Sequence, residues 1–382
     1  MRAGAAMLTA IVFSGILLCG CGGGSSTGTV TTTTQTPATA PTISTTAAQN
    51  GAVVVSLATT TPAATIYYTV DGTTPSASSP QYFAAFLVAS NLTVKAIAVA
   101  PGDMPSTVTT QTLAPNIPSG TLVWSDEFSN TTTANAAPNP AIWTYDTGSS
   151  GFGNNELEDY CAWASNASPC NAASPNAYVG PDGYLHIVAQ QTTPGVYTSG
   201  AFTSARLKTQ GLFSFQYGRF EVRAQVPEAQ GFWPAAWLMG NNIATANWPA
   251  CCEQDVLERI NAAKSPDWNE GSVHGIGFTG DTGLGAVFNF PSGQTAAGWH
   301  TYGMIWKPGS VAYYVDDPTH PYVTYTTSSL TGLAGAAWPF DAGQANFIIL
   351  NLAVGGDWPG SPNATTPFPS QMLVDYVRVY TN

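Results

Sequence analysis

No part of the chain carries a sustained helical apolar period, whereas short β-type runs bounded by turn residues recur from about residue 41 to the C-terminus. The pattern predicts an all-β protein. From residue 121 onward about 260 residues are of this kind, which favours a large antiparallel sandwich with a cleft on its concave face. The runs that predict its strands are Tyr184–Ala189, Gly218–Gln225, His300–Trp306, Val311–Val315, Phe347–Ala353 and Leu373–Tyr380.

Residues 41–115 predict a separate, smaller β-sandwich, because short runs there are punctuated by turn signals such as Asp71-Gly72 and Pro101-Gly102. The segment Ala64–Pro75, followed by Val94–Gly102, resembles the Ig-like module found at the end of chitobiases and hexosaminidases. Residues 116–120 are predicted to be the hinge that follows this module. The predicted strands are Ala52–Leu57, Thr65–Val70, Asn91–Ala100 and Ser106–Leu113.

Three carboxylates, Glu253, Asp255 and Glu258, fall within six residues of a segment that otherwise reads as a strand. In a regular strand Glu253 and Asp255 share one face, while Glu258 points to the other. One extra residue would restore the register, so we predict a β-bulge at Val256-Leu257. Clustered carboxylates raise the pKa of at least one member. Glycoside hydrolysis needs such a pair, one carboxylate ionised and one kept protonated.

An acidic edge strand or a calcium site is the alternative interpretation of three such carboxylates. Two segments, one upstream and one downstream of the acids, favour the catalytic interpretation, since they carry indoles, which stack on sugar rings. They are Gly231–Gly240 and Asn351–Gly360.

Charged residues are scarce, at 8%, and the net charge is -12, whereas aromatic residues reach 11%. The chain cannot assemble the basic patch that nucleic acid requires. Neutral polymers are therefore the expected partners, and the protein is expected to be a monomer.

The N-terminus reads as an export signal over residues 1–21, with Arg2 before an apolar run. The stretch Leu18-Cys19-Gly20-Cys21 resembles a bacterial lipoprotein box, which implies lipidation at Cys21. Residues 22–40, rich in Gly, Ser and Thr, would be the flexible tether. We therefore expect an exported lipoprotein at the cell surface or outer membrane, held to the membrane by its lipid; secretion is the alternative.

Cys161 and Cys170 bracket a short polar insertion and are a candidate disulfide in an oxidising compartment. Cys251 and Cys252 are adjacent, and their state stays open because a bond between neighbours is strained.

Several motifs, spaced in order along the large domain, together resemble glycoside hydrolase family 16. The bulged Glu-x-Asp-x-x-Glu form is similar to the laminarinase-like branch, whose members are jelly-roll endo-β-1,3-glucanases that act with retention. The motifs are Val123–Phe128, Gly153–Leu157, Thr203–Leu207, Gly218–Arg223, Trp233-Pro234, Glu253–Glu258, His300–Tyr302 and Val374–Tyr380.

The resemblance implies a role for each acid: Glu253 as nucleophile, Glu258 as acid and then base, and Asp255 as the hydrogen-bonding residue between them. No cofactor is implied for catalysis. Asp375 matches a calcium position common in the family; an unoccupied surface carboxylate is the alternative. The candidate substrate-binding residues are Asn155, Arg206, Trp233, Trp237, His300 and Asn351.

Three residues depart from the family pattern: Cys252, Gln254 and Arg259. Parity predicts that Gln254 points between the sheets. Arg259 would lower the pKa of Glu258 if the two were close. The expected substrate is a laminarin-like β-1,3-glucan; a mixed-linkage β-1,3-1,4-glucan, a galactan, or a glucan-binding protein without turnover are the alternatives.

Overall fold

The computed structural model describes residues 35–260, 267–341 and 343–382, with Asp281 in its backbone only. The predicted signal peptide, Cys21 and most of the predicted tether lie outside the described residues. In the described part of the chain, no helix is both long and apolar enough to cross a bilayer.

The first part of the structure is the small sandwich that the turn signals predict. Its strands form two sheets of three, in the orders β1-β2-β4 and β3-β5-β6. Val55, Tyr68, Phe86 and Val94 are buried between them. The strands are β1 (Thr42–Ala47), β2 (Val53–Ala58), β3 (Thr65–Thr69), β4 (Phe86–Val88), β5 (Leu92–Val99) and β6 (Thr109–Leu113).

The second part is a larger sandwich, and its strands match the predicted runs to within a few residues. They are β7 (Leu122–Asp126), β8 (Thr144–Asp146), β9 (Glu158–Tyr160), β10 (Ala177–Val179), β11 (Leu185–Gln191), β12 (Phe202–Ser204), β13 (Arg206–Lys208), β14 (Gly218–Gln225), β15 (Phe232–Gly240), β16 (Glu253–Glu258), β17 (Trp268–His274), β18 (Leu284–Asn289), β19 (His300–Lys307), β20 (Ser310–Val315), β21 (Val323–Thr326), β22 (Asn346–Val354) and β23 (Ser370–Tyr380).

Helix is confined to short pieces among the described residues. The α-helix α1 (Ile243–Ala246) follows β15, and four 3₁₀ turns lie at Gln49–Gly51, Gly151–Gly153, Gly280–Thr282 and Thr327–Leu330. The all-β prediction is therefore confirmed.

Two sheets form the large sandwich. One has seven strands in the order β18-β17-β16-β15-β22-β13-β8. The other has ten, in the order β21-β20-β19-β14-β23-β11-β12-β9, with β10 paired to β11 and β7 to β23. The acids lie on β16, near the middle of the seven-stranded sheet.

Alternation along β15 separates the core from the site. Phe232, Ala236 and Leu238 are buried in the core between the sheets. Trp233 and Trp237, at odd positions of the same strand, are only partly buried and occupy the opposite face. We call that opposite face of the seven-stranded sheet the site face.

The small sandwich packs directly on the large one, and residues 36–382 form one unit. Ser214 carries two contacts between them: its Oγ donates to Ala85 O at 2.8 Å, and its carbonyl accepts from Leu87 N at 2.9 Å. On the other side of the junction Asn50 Nδ2 donates to Leu122 O at 2.7 Å. Besides the predicted hinge at residues 116–120, these hydrogen bonds thus hold the small sandwich against the large one.

The four cysteines of the large sandwich are in two different chemical states. Cys161 and Cys170 are joined in a disulfide, whereas Cys251 and Cys252 are free and buried. Burial raises the pKa of each free thiol to about 12, so both are protonated at neutral pH.

Candidate active site

The predicted bulge is present in β16. Along β15 the pairing passes from Ala236–Leu257 to Trp237–Asp255, which leaves Val256 without a partner. The register against β17 shifts in the same place. One extra residue reverses the parity of the residues after it in the strand, so all three carboxylates of β16 lie on the site face.

A buried asparagine holds the bulge, and sequence reasoning missed it. Asn269 of β17 is fully buried. Its Oδ1 accepts from Glu258 N at 3.2 Å, and its Nδ2 donates to Val256 O at 3.1 Å. These bonds satisfy backbone groups that the bulge removes from the ladder. The available signal was an asparagine within a strand, where that residue is depleted.

Indoles donate to both glutamates. Trp248 Nε1 lies 2.9 Å from Glu253 Oε2, and Trp233 Nε1 lies 3.1 Å from Glu258 Oε1. Trp248 was not predicted; the residue is 46% exposed beside Glu253, where a sugar could contact it.

Asp255 bonds to two residues that the sequence did not single out. Ser272 Oγ donates to Asp255 Oδ2 at 2.7 Å, and His274 Nε2 lies 3.2 Å from the same oxygen. The predicted hydrogen bond from Asp255 to the nucleophile is not among the bonds of the described residues. Asp255 acts on Glu253 through its charge instead.

His274 supplies a positive charge next to Glu253 and Asp255. Its Nε2 lies 3.9 Å from Glu253 Oε1. Burial lowers the pKa of His274, but the hydrogen bond to Asp255 and the charges of the acids outweigh burial and raise that pKa to about 9. The ring is therefore protonated at neutral pH.

Burial raises the pKa of both glutamates, and nearby carboxylates add to the effect. For Glu253 the raised pKa is about 8, with His274, the Trp248 indole and Arg206 acting to lower it. The pKa of Glu258 is raised well above its usual value, because burial is joined by the charges of Asp255 and Glu253. Glu258 is thus the better proton holder, and Glu253 has the larger set of cations and donors that lower its pKa.

Three of the candidate substrate-binding residues, Arg206, Trp237 and Asn351, meet on the site face. The Arg206 guanidinium lies 4.8 Å from the centre of the Trp237 ring, and Trp237 Nε1 donates to Asn351 Oδ1 at 2.8 Å. Asn351 is 5% exposed. Its amide is thus committed to orienting the Trp237 ring, and Trp237 presents that ring to the site.

Asn155 lies on a loop at the rim of the site. Its Nδ2 donates to both carboxylate oxygens of Asp357, at 3.0 Å each. The next residue, Trp358, is 40% exposed and packs edge to face against Trp233, with ring centres 5.4 Å apart. The rim thus adds a second exposed indole that sequence analysis had not selected.

The structure does not bring His300 to the site, which corrects that prediction. His300 lies on β19 of the other sheet, with Nδ1 2.7 Å from Asp316 Oδ2 and Nε2 3.1 Å from Thr295 O. Its ring packs on Phe290. His300 is therefore a buried residue held by hydrogen bonds. It lies away from the acids because its strand belongs to the other sheet.

Asp375 does not fit a calcium site. Its Oδ2 is hydrogen-bonded to Arg223 Nη1, and that guanidinium also stacks on Trp299. Calcium requires six to eight oxygen ligands, whereas the neighbour here is a cation.

The residues that depart from the family pattern face away from the site. Arg259 is 3% exposed, and its Nη2 lies 2.6 Å from Asp267 Oδ1. Its charge is thereby neutralised, so the expected lowering of the pKa of Glu258 does not occur. Gln254 is fully buried, as parity predicts, and neither of its amide atoms has a partner among the described residues.

Among the described residues, the ligand atoms of Glu253, Asp255 and His274 lie within 4.8 Å of one another. A metal could use such a set. Here Asp255 and His274 already bond to each other. The cluster is therefore better suited to holding and moving protons than to binding a metal.

A β-sandwich with two partly buried glutamates on one face, separated by a third, buried carboxylate and walled by indoles, defines a carbohydrate hydrolase of the two-carboxylate type. Comparison with known proteins gives the family. The model of glycosyl hydrolases family 16 matches residues 174–378, and the chain belongs to that family. Residues 55–113 match the Fn3-associated family, within the module that sequence analysis compared with chitobiases.

Known relatives agree with this assignment. A β-glucanase of Rhodothermus marinus is 36% identical over 266 residues, which cover 68% of this chain and 84% of the relative. The laminarinase catalytic domain of Thermotoga maritima MSB8 has 35% identity and a TM-score of 0.59, covering 69% of this chain and 99% of that one. The endo-β-1,3-glucanase of Pyrococcus furiosus has 36% identity and a TM-score of 0.58, covering 68% and 94%.

Proposed function

We propose that the protein is an endo-acting glycoside hydrolase that cleaves β-1,3-glucan with retention of configuration. The observation that carries the proposal is the bulge in β16, which puts Glu253, Asp255 and Glu258 on one face. The family membership and the glucanase relatives support the substrate class.

In the first step the Glu253 carboxylate attacks the anomeric carbon while Glu258 gives its proton to the leaving oxygen, so a glycosyl-enzyme forms and the glycosidic bond breaks. In the second step Glu258, now ionised, takes a proton from water. That water displaces Glu253 and releases the sugar with its original configuration.

The electrostatics of the site support this division of roles. His274, Trp248 and Arg206 favour the ionised form of Glu253, as a nucleophile requires. Both neighbouring acids disfavour the ionised form of Glu258, as a proton donor requires. Neither step uses a cofactor. Calcium is not part of the proposal, because the carboxylate of Asp375 is hydrogen-bonded to Arg223.

The test is reducing-sugar release from laminarin by the wild type and by Glu253→Gln. The wild type should hydrolyse the polymer, and the variant should lose activity by at least about 10³-fold, since no glycosyl-enzyme can form. Hydrolysis that survives Glu253→Gln would rule out the mechanism. A wild type that binds laminarin without turnover would instead establish a glucan-binding protein.

The same assay on mixed-linkage β-1,3-1,4-glucan and on galactans determines the preferred polymer. We expect β-1,3-glucan to give the highest kcat/KM. A galactan that is cleaved faster would reassign the substrate while leaving the two-carboxylate mechanism in place.

We further propose that the protein is exported and anchored through a lipid on Cys21. The supporting observation is the apolar N-terminal run that ends at Leu18-Cys19-Gly20-Cys21. Metabolic labelling with an alkyne fatty acid should label the wild type and the Cys19→Ser control but not Cys21→Ser. Equal labelling of all three chains would contradict the anchor.

A further inference from the structure

A cavity of ≈ 390 Å³ lies where the small sandwich meets the edge of the seven-stranded sheet. Phe83 and Ala84 form its wall on the small sandwich, just before β4. Thr144, Tyr145 and Lys208 contribute from the edge strands β8 and β13. The volume falls within the range of about 300–1,000 Å³ that is typical of ligand sites.

The cavity shares a sheet face with the catalytic acids. Asp255 pairs with Trp237, which pairs with Ile349 of β22. Ile349 pairs with Lys208, and Lys208 pairs with Thr144. Residues paired directly across neighbouring strands point to the same face, so Lys208 and Thr144 extend the site face to its edge. At about 4.8 Å per strand, they lie roughly 14–19 Å from Asp255.

The lining suits a neutral ligand rich in hydroxyl groups. Phe83 supplies a ring, and Asn241 supplies an amide. Lys208 is already engaged, because its Nζ lies 2.6 Å from Asp146 Oδ1 and 2.7 Å from Gln210 Oε1; Asp146 also pairs with Arg206 Nε at 3.1 Å. The lining is therefore better matched to a sugar than to an anion.

One buried acceptor in this lining lacks a donor. Asn241 is 7% exposed, and its Oδ1 has no hydrogen-bond partner among the described residues. An unpaired buried carbonyl is destabilising. A ligand hydroxyl could bond to it only after the Asn241 amide turned toward the cavity, because Oδ1 has almost no accessible surface.

The wall contributed by the small sandwich is held in position. Ser214, which is fully buried, bonds to Ala85 and Leu87 on either side of the start of β4. Tyr68 OH, from the same small sandwich, donates to Gly343 O at 3.3 Å. The cavity thus lies between two parts of the chain that are fixed to each other.

We propose that this cavity is a distal subsite, which binds a sugar of the same glucan chain several units from the bond that is cleaved, and that the small sandwich completes it. The inference rests on the proposed function. It gives the small sandwich a direct part in recognising long substrates.

The test compares kcat/KM on a series of β-1,3-gluco-oligosaccharides of increasing length, using the full chain. Phe83→Ala and Asn241→Ala should each lower kcat/KM by about tenfold on the longest oligosaccharides and leave the shortest substrates unaffected. Tyr67→Ala removes an aromatic ring from the same small sandwich outside the cavity lining, and it should leave the whole series unchanged.

Two outcomes would overturn the inference while the proposed function stands: no loss at any length, or an equal loss at every length. Thermal unfolding of each variant separates a misfolded chain, which loses all lengths together, from a missing subsite. A wild type that cleaves none of the oligosaccharides would overturn both the subsite and the proposed function.

Discussion

His274 Nε2 lies 3.2 Å from Asp255 Oδ2 and 3.9 Å from Glu253 Oε1, so one imidazolium faces two of the three catalytic-site carboxylates. The pairing follows from strand register, in which Glu253 is opposite His274 and Asp255 is opposite Ser272. A positive charge fixed at this point favours the ionised form of Glu253 and so works against burial, which raises the pKa of that carboxyl to about 8.

The His274→Gln variant tests that charge. Loss of the cation should raise the pKa of Glu253, since His274 acts to lower it. The acidic limb of the kcat/KM profile should therefore move up by about one pH unit. His186→Gln is the matched control, because His186 pairs with Asp182 on the other sheet. An unchanged limb in His274→Gln would contradict the role.

Trp248→Phe tests the indole donor while keeping a ring for the sugar. The indole N–H favours the ionised form of Glu253. Its removal should shift the same acidic limb upward by about one pH unit with little change in KM. Trp248→Ala should shift the limb equally and raise KM as well. A change in KM alone for Trp248→Phe would show that the N–H does not act on the nucleophile.

Asn269→Ala tests the bulge. Both Asn269 and Asn176 are buried and make side-chain bonds to strand backbone, so Asn269→Ala and Asn176→Ala should each lower the free energy of unfolding by about 1–3 kcal/mol. Only Asn269→Ala should also lower kcat, by about 10²-fold, because Glu258 loses its position. Equal kcat in the two variants would show that the bulge persists without Asn269.

Glu258→Gln should change how stability depends on pH. Because the folded pKa of Glu258 lies well above 4.5, the folded state holds a proton that the unfolded state releases in that window. Stability of the wild type therefore falls as pH rises from about 4.5 toward the folded pKa.

Glutamine does not titrate, so the variant should gain about 1–3 kcal/mol relative to wild type between pH 5 and pH 8. Denaturant unfolding of both proteins at pH 5 and at pH 8 measures this difference in the free energy of unfolding. A constant difference between Glu258→Gln and wild type across this range would contradict the raised pKa.

Gln254→Met should stabilise the protein by about 1–2 kcal/mol without lowering kcat. Gln254 packs in register with Leu238 and Val273, and its amide has no partner among the described residues. Methionine has a similar volume and no such cost. A lower unfolding temperature for the variant would show that the amide is solvated or paired in solution.

The amino-acid sequence determined what is local. Alternating β-type runs and turn residues were sufficient for the fold class, because side-chain period and turn chemistry are properties of neighbouring residues. The bulge was also predictable, since three carboxylates at this spacing can share a face only if Val256-Leu257 departs from regular pairing.

Tertiary structure decided which distant residues serve those carboxylates. His274, Asn269 and Trp248 reach the acids through strand register and loop placement, and no short-range pattern encodes either one. His300 was misplaced for the same reason: its motif is correct for a strand, but only sheet order shows that the strand lies on the far layer.

The cavity beside Phe83 depends on the same kind of information. Its two walls lie in the small and the large sandwich, and the hydrogen bonds of Ser214 hold the start of β4 at their junction. Packing between remote segments depends on the shape of both partners at once, so it becomes visible only when the chain is folded.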